Sequence, residues 1–230
     1  MPTILSIETS THVCSCALSH NGEVIFNKEN TENQSHSTLL GVFVDEIMQY
    51  VRKNSVKLSA IAVSSGPGSY TGLRIGVSEA KGLAYGLAIP LIAVSTPLLL
   101  ASQVSKKVQP DALLCPMIDA RRMEVYATFF DTSLSIIKET SADIVDENSY
   151  LDLLEKQPII FFGNGAEKCK SVLAHHNAHF LTDAHPLASG MTTLAEKAFM
   201  EKNFVDVAYF EPHYLKEYIA MVGKNKVLAG

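Results

Sequence analysis

The chain has 230 residues, 47% of them hydrophobic, and a formal charge of −5, enough apolar material for one large core or two smaller ones. Its 19 Lys and Arg are scattered among 24 Asp and Glu, so no basic stripe exists and a dominant nucleic-acid-binding role is excluded. Cys14, Cys16, Cys115 and Cys169 form neither a C-x-x-C pair nor a disulfide framework, and no basic and apolar leader precedes them, so a reducing cytoplasm is expected.

In chain order, strands are predicted at 3–7, 13–19 and 23–27, the last two joined by the hairpin signal Asn21-Gly22. A helix follows over 35–52, with Leu40, Phe43, Val44, Ile47, Met48 and Val51 at i, i+3, i+4, i+7 spacing. Strand 61–64, a helix over 70–88, strand 91–94 and a helix from Pro97 close the first half. The window 83–101 is the most apolar, but Gly86, Pro90 and Pro97 break it, which argues for helix, strand and helix and against a membrane span. Strands at 113–118, 124–130 and 135–138, a helix at 147–155, a strand at 159–162, a helix at 166–173, a strand at 179–181 and a helix at 187–200 repeat that order. Two βββαβα units in tandem indicate an internal duplication, with mixed sheets covered by helices and lobes at 1–106 and 107–230.

The segment 65–88 holds six of the 13 glycines: Gly66 and Gly68 in a turn, and Gly72, Gly76, Gly82 and Gly86 inside a helix. Each interior helical Gly costs about 0.8–1.0 kcal/mol relative to Ala, so a tertiary requirement for small residues is expected. Gly72, Gly76, Ala80, Ala84 and Ala88 recur every fourth position as a smooth ridge that would admit another backbone. The glycine turn before a helix suits an anion, but it lacks the Lys-Ser/Thr ending of a P-loop, and close packing is the favoured reading.

Four further groups offer chemistry. Glu8-Thr9-Ser10-Thr11 gathers hydroxyls beside a carboxylate and would suit a magnesium-bound phosphate; a polar hairpin tip is the plainer expectation. His175, His176, His179 and His185 are metal-ligating types, expected here as solvated side chains. Cys14 and Cys16 share one strand face as buried thiols. In the hairpin 119–124, Arg121 or Arg122 either pairs with Asp119 and Glu124 or binds a partner's anion.

Ile4-Leu-Ser-Ile-Glu-Thr-Ser-Thr11, Ser65-Gly-Pro-Gly-Ser-Tyr-Thr-Gly-Leu-Arg-Ile-Gly76 with Ala80-Lys-Gly-Leu-Ala84, and Ile118-Asp-Ala-Arg-Arg-Met-Glu-Val-Tyr126 together resemble the bacterial TsaB (YeaZ) family. Gly163-Asn-Gly165 and Tyr214-Leu-Lys216 extend the resemblance over nearly the whole chain. It implies the two-lobed actin/sugar-kinase/Hsp70-like fold and a part in making the threonylcarbamoyl modification of adenosine 37 in ANN-decoding tRNAs. It implies a noncatalytic subunit with no cofactor of its own that pairs with a TsaD-type catalytic paralogue carrying ATP and metal. A TsaE-type ATPase and tRNA would join through the complex, and the chain alone would form a homodimer. The implied interface comprises Leu40, Phe43, Val44 and Ile47 of the first helix and Leu73, Arg74, Val77 and Lys81 of the second. Gly66, Gly68, Tyr70, Thr71, Gly72, Gly76 and Ala80 would serve the family motif and close packing. Glu8 stands where an Asp is common in the family, and His36 is alone where the catalytic paralogue has a metal-binding pair. An independent ATP-dependent phosphotransferase of the same fold, or a metallopeptidase-like protein, are the alternatives.

Overall fold

The computed structural model describes residues 1–32 and 36–215; Ser35, the expected start of the first helix, and Lys216 of the last motif lie outside them. The first sheet contains β1 (Thr3–Glu8), β2 (Cys14–His20), β3 (Glu23–Asn30), β4 (Ala60–Gly66) and β5 (Leu91–Ser95) in the order β3-β2-β1-β4-β5. β1 runs antiparallel to β2 and parallel to β4. The second sheet contains β6 (Leu113–Asp119), β7 (Glu124–Phe130), β8 (Ile136–Ile144), β9 (Ile159–Phe162) and β10 (Ala178–Leu181), ordered β10-β9-β6-β7-β8. Read from its other edge, this is the same order as the first, and the duplicated topology is that of the two-lobed actin/sugar-kinase/Hsp70-like fold.

β1 is buried along its whole length because helices cover both faces of its sheet, so Thr3, Ser6 and Glu8 are buried together with Ile4, Leu5 and Ile7. On one face lie α1 (His36–Lys53) and α2 (Tyr70–Leu87), whose Leu40, Val44, Ile47, Val77 and Ala80 meet Leu5, Ile7, Leu18, Ile61 and Val63. On the other face Ile4, Ala60, Ala62, Ile92 and Val94 meet Leu99 of α3 (Thr96–Val104) and Ala195 of α5 (Thr192–Met200). Thus α5, although it follows the second sheet in sequence, packs on the first. Another face of α3, with Leu100, Ala101 and Val104, packs on Leu114, Ile118, Phe130 and Phe162 of the second sheet. The sheets separate near 106, but the cores are joined by this shared helix.

The second half departs from its predicted helices. The helix expected at 147–155 shrinks to α4 (Leu151–Leu154), because Asp146 and Ser149 close a turn on each other's polar groups. Tyr150 then takes a left-handed φ of 64°, with its hydroxyl donating to Asp143 Oδ2 at 2.8 Å and its ring 4.9 Å from that of Phe129. The helix expected at 166–173 is a single 3-10 turn at Glu167–Cys169, since the chain at Gly165 runs against the Ile118 and Asp119 backbone. β8 is longer than predicted, and the helix expected at 187–200 is a 3-10 turn at Ala188–Met191 followed by α5.

A truncation at the shared helix tests this arrangement. Leu100→Ala is expected to cost about 2–5 kcal/mol in urea unfolding, whereas a loss below about 1 kcal/mol would mean that α3 is not the common wedge.

Candidate functional site

The β1–β2 loop and the start of α2 are built into one another. Ser69 is the N-cap of α2, its Oγ accepting from the Gly72 N–H at 3.2 Å. The Ser69 N–H donates to the Ser10 carbonyl at 2.6 Å, and Thr9 Oγ1 donates to the Gly72 carbonyl at 2.8 Å. A Cβ on Gly68 would strike the Ser10 carbonyl, one on Gly72 the Thr9 carbonyl, and one on Gly76 the Thr9 hydroxyl. The ridge of Gly72, Gly76, Ala80 and Ala84 is therefore buried within the chain, and Ala88 leaves it as an exposed left-handed cap with φ 53°. The chain's own loop is what comes close to the first two helical glycines. Gly82 and Gly86 differ, with nothing among the described residues within 4 Å of a Cβ at either.

The segment Glu8–Thr11 is not the solvated hairpin tip expected from its composition, for all four residues are buried. Glu8 is 0% exposed; its Oε1 accepts from the Ser10 N–H at 2.5 Å, and its Oε2 has no partner. Burial pushes the carboxyl from 4.5 up to about 7, offset only in part by donors of the Ser10 segment.

Between the lobes lies a cleft of about 620 Å³, floored by Ser10, Thr11, Ser69 and Tyr70 on one side and by Asp119, Arg121, Tyr126 and Asn164 on the other. Asp119 is held by Lys168, by its own N–H donating to Asn164 Oδ1 at 3.0 Å, and by the Arg121 N–H donating to its Oδ1 at 3.1 Å. The Asp119 carboxylate thus pairs with a lysine 49 residues away, and Arg121 and Arg122 adopt exposed left-handed positions at φ 73° and 49°. The histidine cluster divides. His175 packs on His176 with ring centroids 4.3 Å apart, whereas His185 meets His12 at 5.0 Å. Burial, then the proximity of His185 and His36, lowers the His12 pKa. Among the described residues no three His, Cys, Asp or Glu converge to hold a metal. All four cysteines are free and buried.

The structure places the interface residues expected from the resemblance on differing faces of α1 and α2. Leu40, Val44, Ile47, Leu73 and Val77 are buried, because the apolar stripe of each helix is the side held by its own sheet. Phe43 is half-buried and packs on the same core. Lys81 Nζ donates to the Ala208 and Phe210 carbonyls at 3.1 and 2.9 Å. The Arg74 guanidinium lies 4.2 Å over the Tyr70 ring and reaches the Tyr214 hydroxyl at 3.4 Å, while the two tyrosine rings sit 4.8 Å apart. Both cations thus hold the segment 205–215 along α2. Thr71 is exposed at the helix start, and Gly66 has a φ of 98°. The open faces carry Gly41, Val42 (52% exposed), Gly82, Tyr85 (83% exposed) and Gly86. Val42 and Tyr85 were legible only as apolar residues outside the buried stripe.

A sequence-family profile described as TsaD, tRNA N6-adenosine threonylcarbamoyltransferase, matches residues 23–224. The tRNA threonylcarbamoyladenosine biosynthesis protein TsaB of Bacillus subtilis (strain 168) is 31% identical, covering 93% of this chain and 94% of its own. That of Escherichia coli (strain K12) is 31% identical over 94% and 96%. Among solved structures, YeaZ from Pseudomonas aeruginosa superposes with a TM-score of 0.78 at 26% identity, covering 94% of this chain and 100% of that one.

Two measurements test the loop and helix geometry. Gly72→Ala is expected to destabilise by about 1–3 kcal/mol through overpacking against Thr9, whereas Gly82→Ala, with open space around it, should stabilise by up to about 1 kcal/mol; equal effects would refute the distinction. Because folding raises the Glu8 pKa, the folded state keeps a proton that the unfolded chain releases, so stability should fall as pH rises from 4.5 to about 7. The total is about 3 kcal/mol, and Glu8→Gln should remove this component from the stability–pH curve.

Proposed function

Because the chain belongs to the TsaB family of tRNA threonylcarbamoyladenosine biosynthesis proteins, we propose that it is the noncatalytic subunit of the tRNA adenosine-37 threonylcarbamoyltransferase complex. It docks onto a TsaD-type catalytic paralogue through the outer faces of α1 and α2. The observation that carries this is the open glycine-bearing surface: Gly82 and Gly86 each weaken the helix yet meet nothing among the described residues, and Val42 and Tyr85 stand exposed on the same helical layer. Small residues flanked by exposed apolar ones admit a partner helix at short distance. In the absence of the paralogue a second copy would occupy the same face, as two-fold symmetry permits.

ATP and metal belong to the paralogue, a TsaE-type ATPase and tRNA are engaged through the complex, and the protein works in the cytoplasm. Among the described residues no helix is long and apolar enough to cross a membrane. The noncatalytic assignment is supported by the region where the phosphate hairpin of a kinase of this fold would lie. There Glu8 is sealed from the cleft, and the Ser69 N–H beside the glycine turn is bonded to the chain's own Ser10 carbonyl. A phosphotransferase would need both facing a nucleotide. Against the metallopeptidase alternative stands the pairing of His185 with His12 and of His175 with His176, with no three metal-ligating side chains converging among the described residues.

Mixing the protein with its cognate TsaD-type paralogue should give one earlier-eluting complex in size-exclusion chromatography. Val42→Glu with Tyr85→Ala should weaken it by at least about tenfold without lowering the melting temperature. Two unshifted peaks for the wild-type pair would sink the assignment, as would nucleotide turnover by the chain alone that Glu8→Ala abolishes.

A further inference from the structure

We propose that Tyr209 is a second aromatic anchor of the docking surface, positioned beside Tyr85 by Lys81, so that the TsaD-type paralogue meets the segment 205–210 as well as the outer faces of α1 and α2. The proposal rests on the docking reading above and extends that surface beyond the two helices.

Tyr85 and Tyr209 are the most exposed Tyr or Phe side chains among the described residues, at 83% and 86%. They are far apart in sequence, and Lys81 brings them to one place. Its Nζ donates to the carbonyls of Ala208 and Phe210 at 3.1 and 2.9 Å, the residues on either side of Tyr209, and Tyr85 lies one helical turn further along on the same side of α2. No ion pair among the described residues includes Lys81. Its charge is given to main-chain carbonyls, so what it fixes is the path of the chain through Tyr209.

The rest of the segment is anchored from within. Val205, Val207 and Phe210 pack on the core that α1 and α2 share, and the Val205 N–H donates to the Leu91 carbonyl at 2.9 Å. Asp206 closes the turn: its Oδ1 accepts from the Ala208 and Tyr209 N–H groups at 2.7 and 3.1 Å, and its carbonyl accepts from the Phe210 N–H at 2.8 Å. Phe204 meets Phe199 with ring centroids 5.8 Å apart, and Tyr214 meets Tyr70 at 4.8 Å. Of Phe204, Tyr209, Phe210 and Tyr214, only Tyr209 has neither a ring partner nor a core contact among the described residues.

A tyrosine ring left in water on a backbone fixed in this way is prepared for an interface. Little ordering cost remains to be met on binding, and the apolar area of the ring is still to be buried; tyrosine is also among the residue types that dominate binding energy. Continuity with the glycine face identifies the occupant. At 100° per residue the order around α2 is Gly82, Tyr85, Lys81 and then the segment that Lys81 holds. A helix of the paralogue laid over Gly82 and Gly86 therefore has the Tyr85 and Tyr209 rings along one flank, where an uncharged, apolar side chain of the paralogue covers both.

Affinity for the TsaD-type paralogue, measured by titration calorimetry on the full chain, tests this. Tyr209→Ala should raise the dissociation constant by at least about tenfold without lowering the melting temperature. Lys81→Met, which keeps the stem and removes the donor, should raise it by about threefold to tenfold, and Lys81→Arg, which still donates, should recover most of that loss. Adding Lys81→Met to Tyr209→Ala should weaken binding by no more than about a further twofold, because the lysine acts through the tyrosine; a purely structural role would carry its whole loss into the double variant. Wild-type affinity in Tyr209→Ala would overturn the proposal while leaving docking through α1 and α2 intact, and fully additive losses would overturn the role given to Lys81. Absence of any complex with the wild-type chain would instead remove the docking reading, and this extension with it.

Discussion

The fit of Thr9 and Ser10 into the glycine face of α2 is the constraint on which the first lobe depends. Three glycines allow two backbones to approach where any Cβ would collide, and two hydrogen bonds between loop and helix turn that proximity into a fixed register. The loop is then too deeply placed to be solvated: the Thr9 hydroxyl and the Ser10 backbone are satisfied within the chain, whereas Glu8 Oε2 and Ser10 Oγ are buried without a partner. Packing, hydrogen bonding and titration behaviour at this point are consequences of one steric choice.

The same constraint separates the two kinds of helical glycine. Gly72 and Gly76 are explained by the fold, whereas Gly82 and Gly86 lie nearly two and nearly three turns beyond Gly76, face outward, and weaken α2 with no return among the described residues. A residue that lowers stability without an intramolecular reason points to a requirement outside the molecule. The segment 205–215 sharpens this, because Arg74 and Lys81 fasten it along α2 and leave Tyr85 and the adjoining α1 surface exposed.

The lobes are coupled rather than merely joined. α3 contributes Leu99 to one core and Leu100 and Val104 to the other, and α5 returns from the second half to the first sheet. The Ser15 to Ala188 hydrogen bond lies on this seam, one strand from Glu8. Movement between lobes would therefore be resisted by apolar area on both sides of α3, which suits a subunit that offers a fixed surface.

The duplicated strand order, the hairpin at Asn21-Gly22, the amphipathic α1 and the peculiarity of the glycine run were legible in the amino-acid sequence, because period-2 and period-3.6 patterns and turn residues are local signals. The burial of Glu8–Thr11 was not, since four consecutive polar residues become buried only when a distant glycine helix closes over them. Nor were the roles of Arg74 and Lys81, whose partners lie about 130 residues away, or the shrinking of the second-lobe helices, where Tyr150 turns left-handed to satisfy Asp143 and Phe129. By itself the sequence determined which residues are apolar, small or turn-forming, and hence the order of elements and the family. Which apolar face is core and which is open, and which glycines serve the fold, only the tertiary structure decided, because burial depends on the elements that pack from far along the chain.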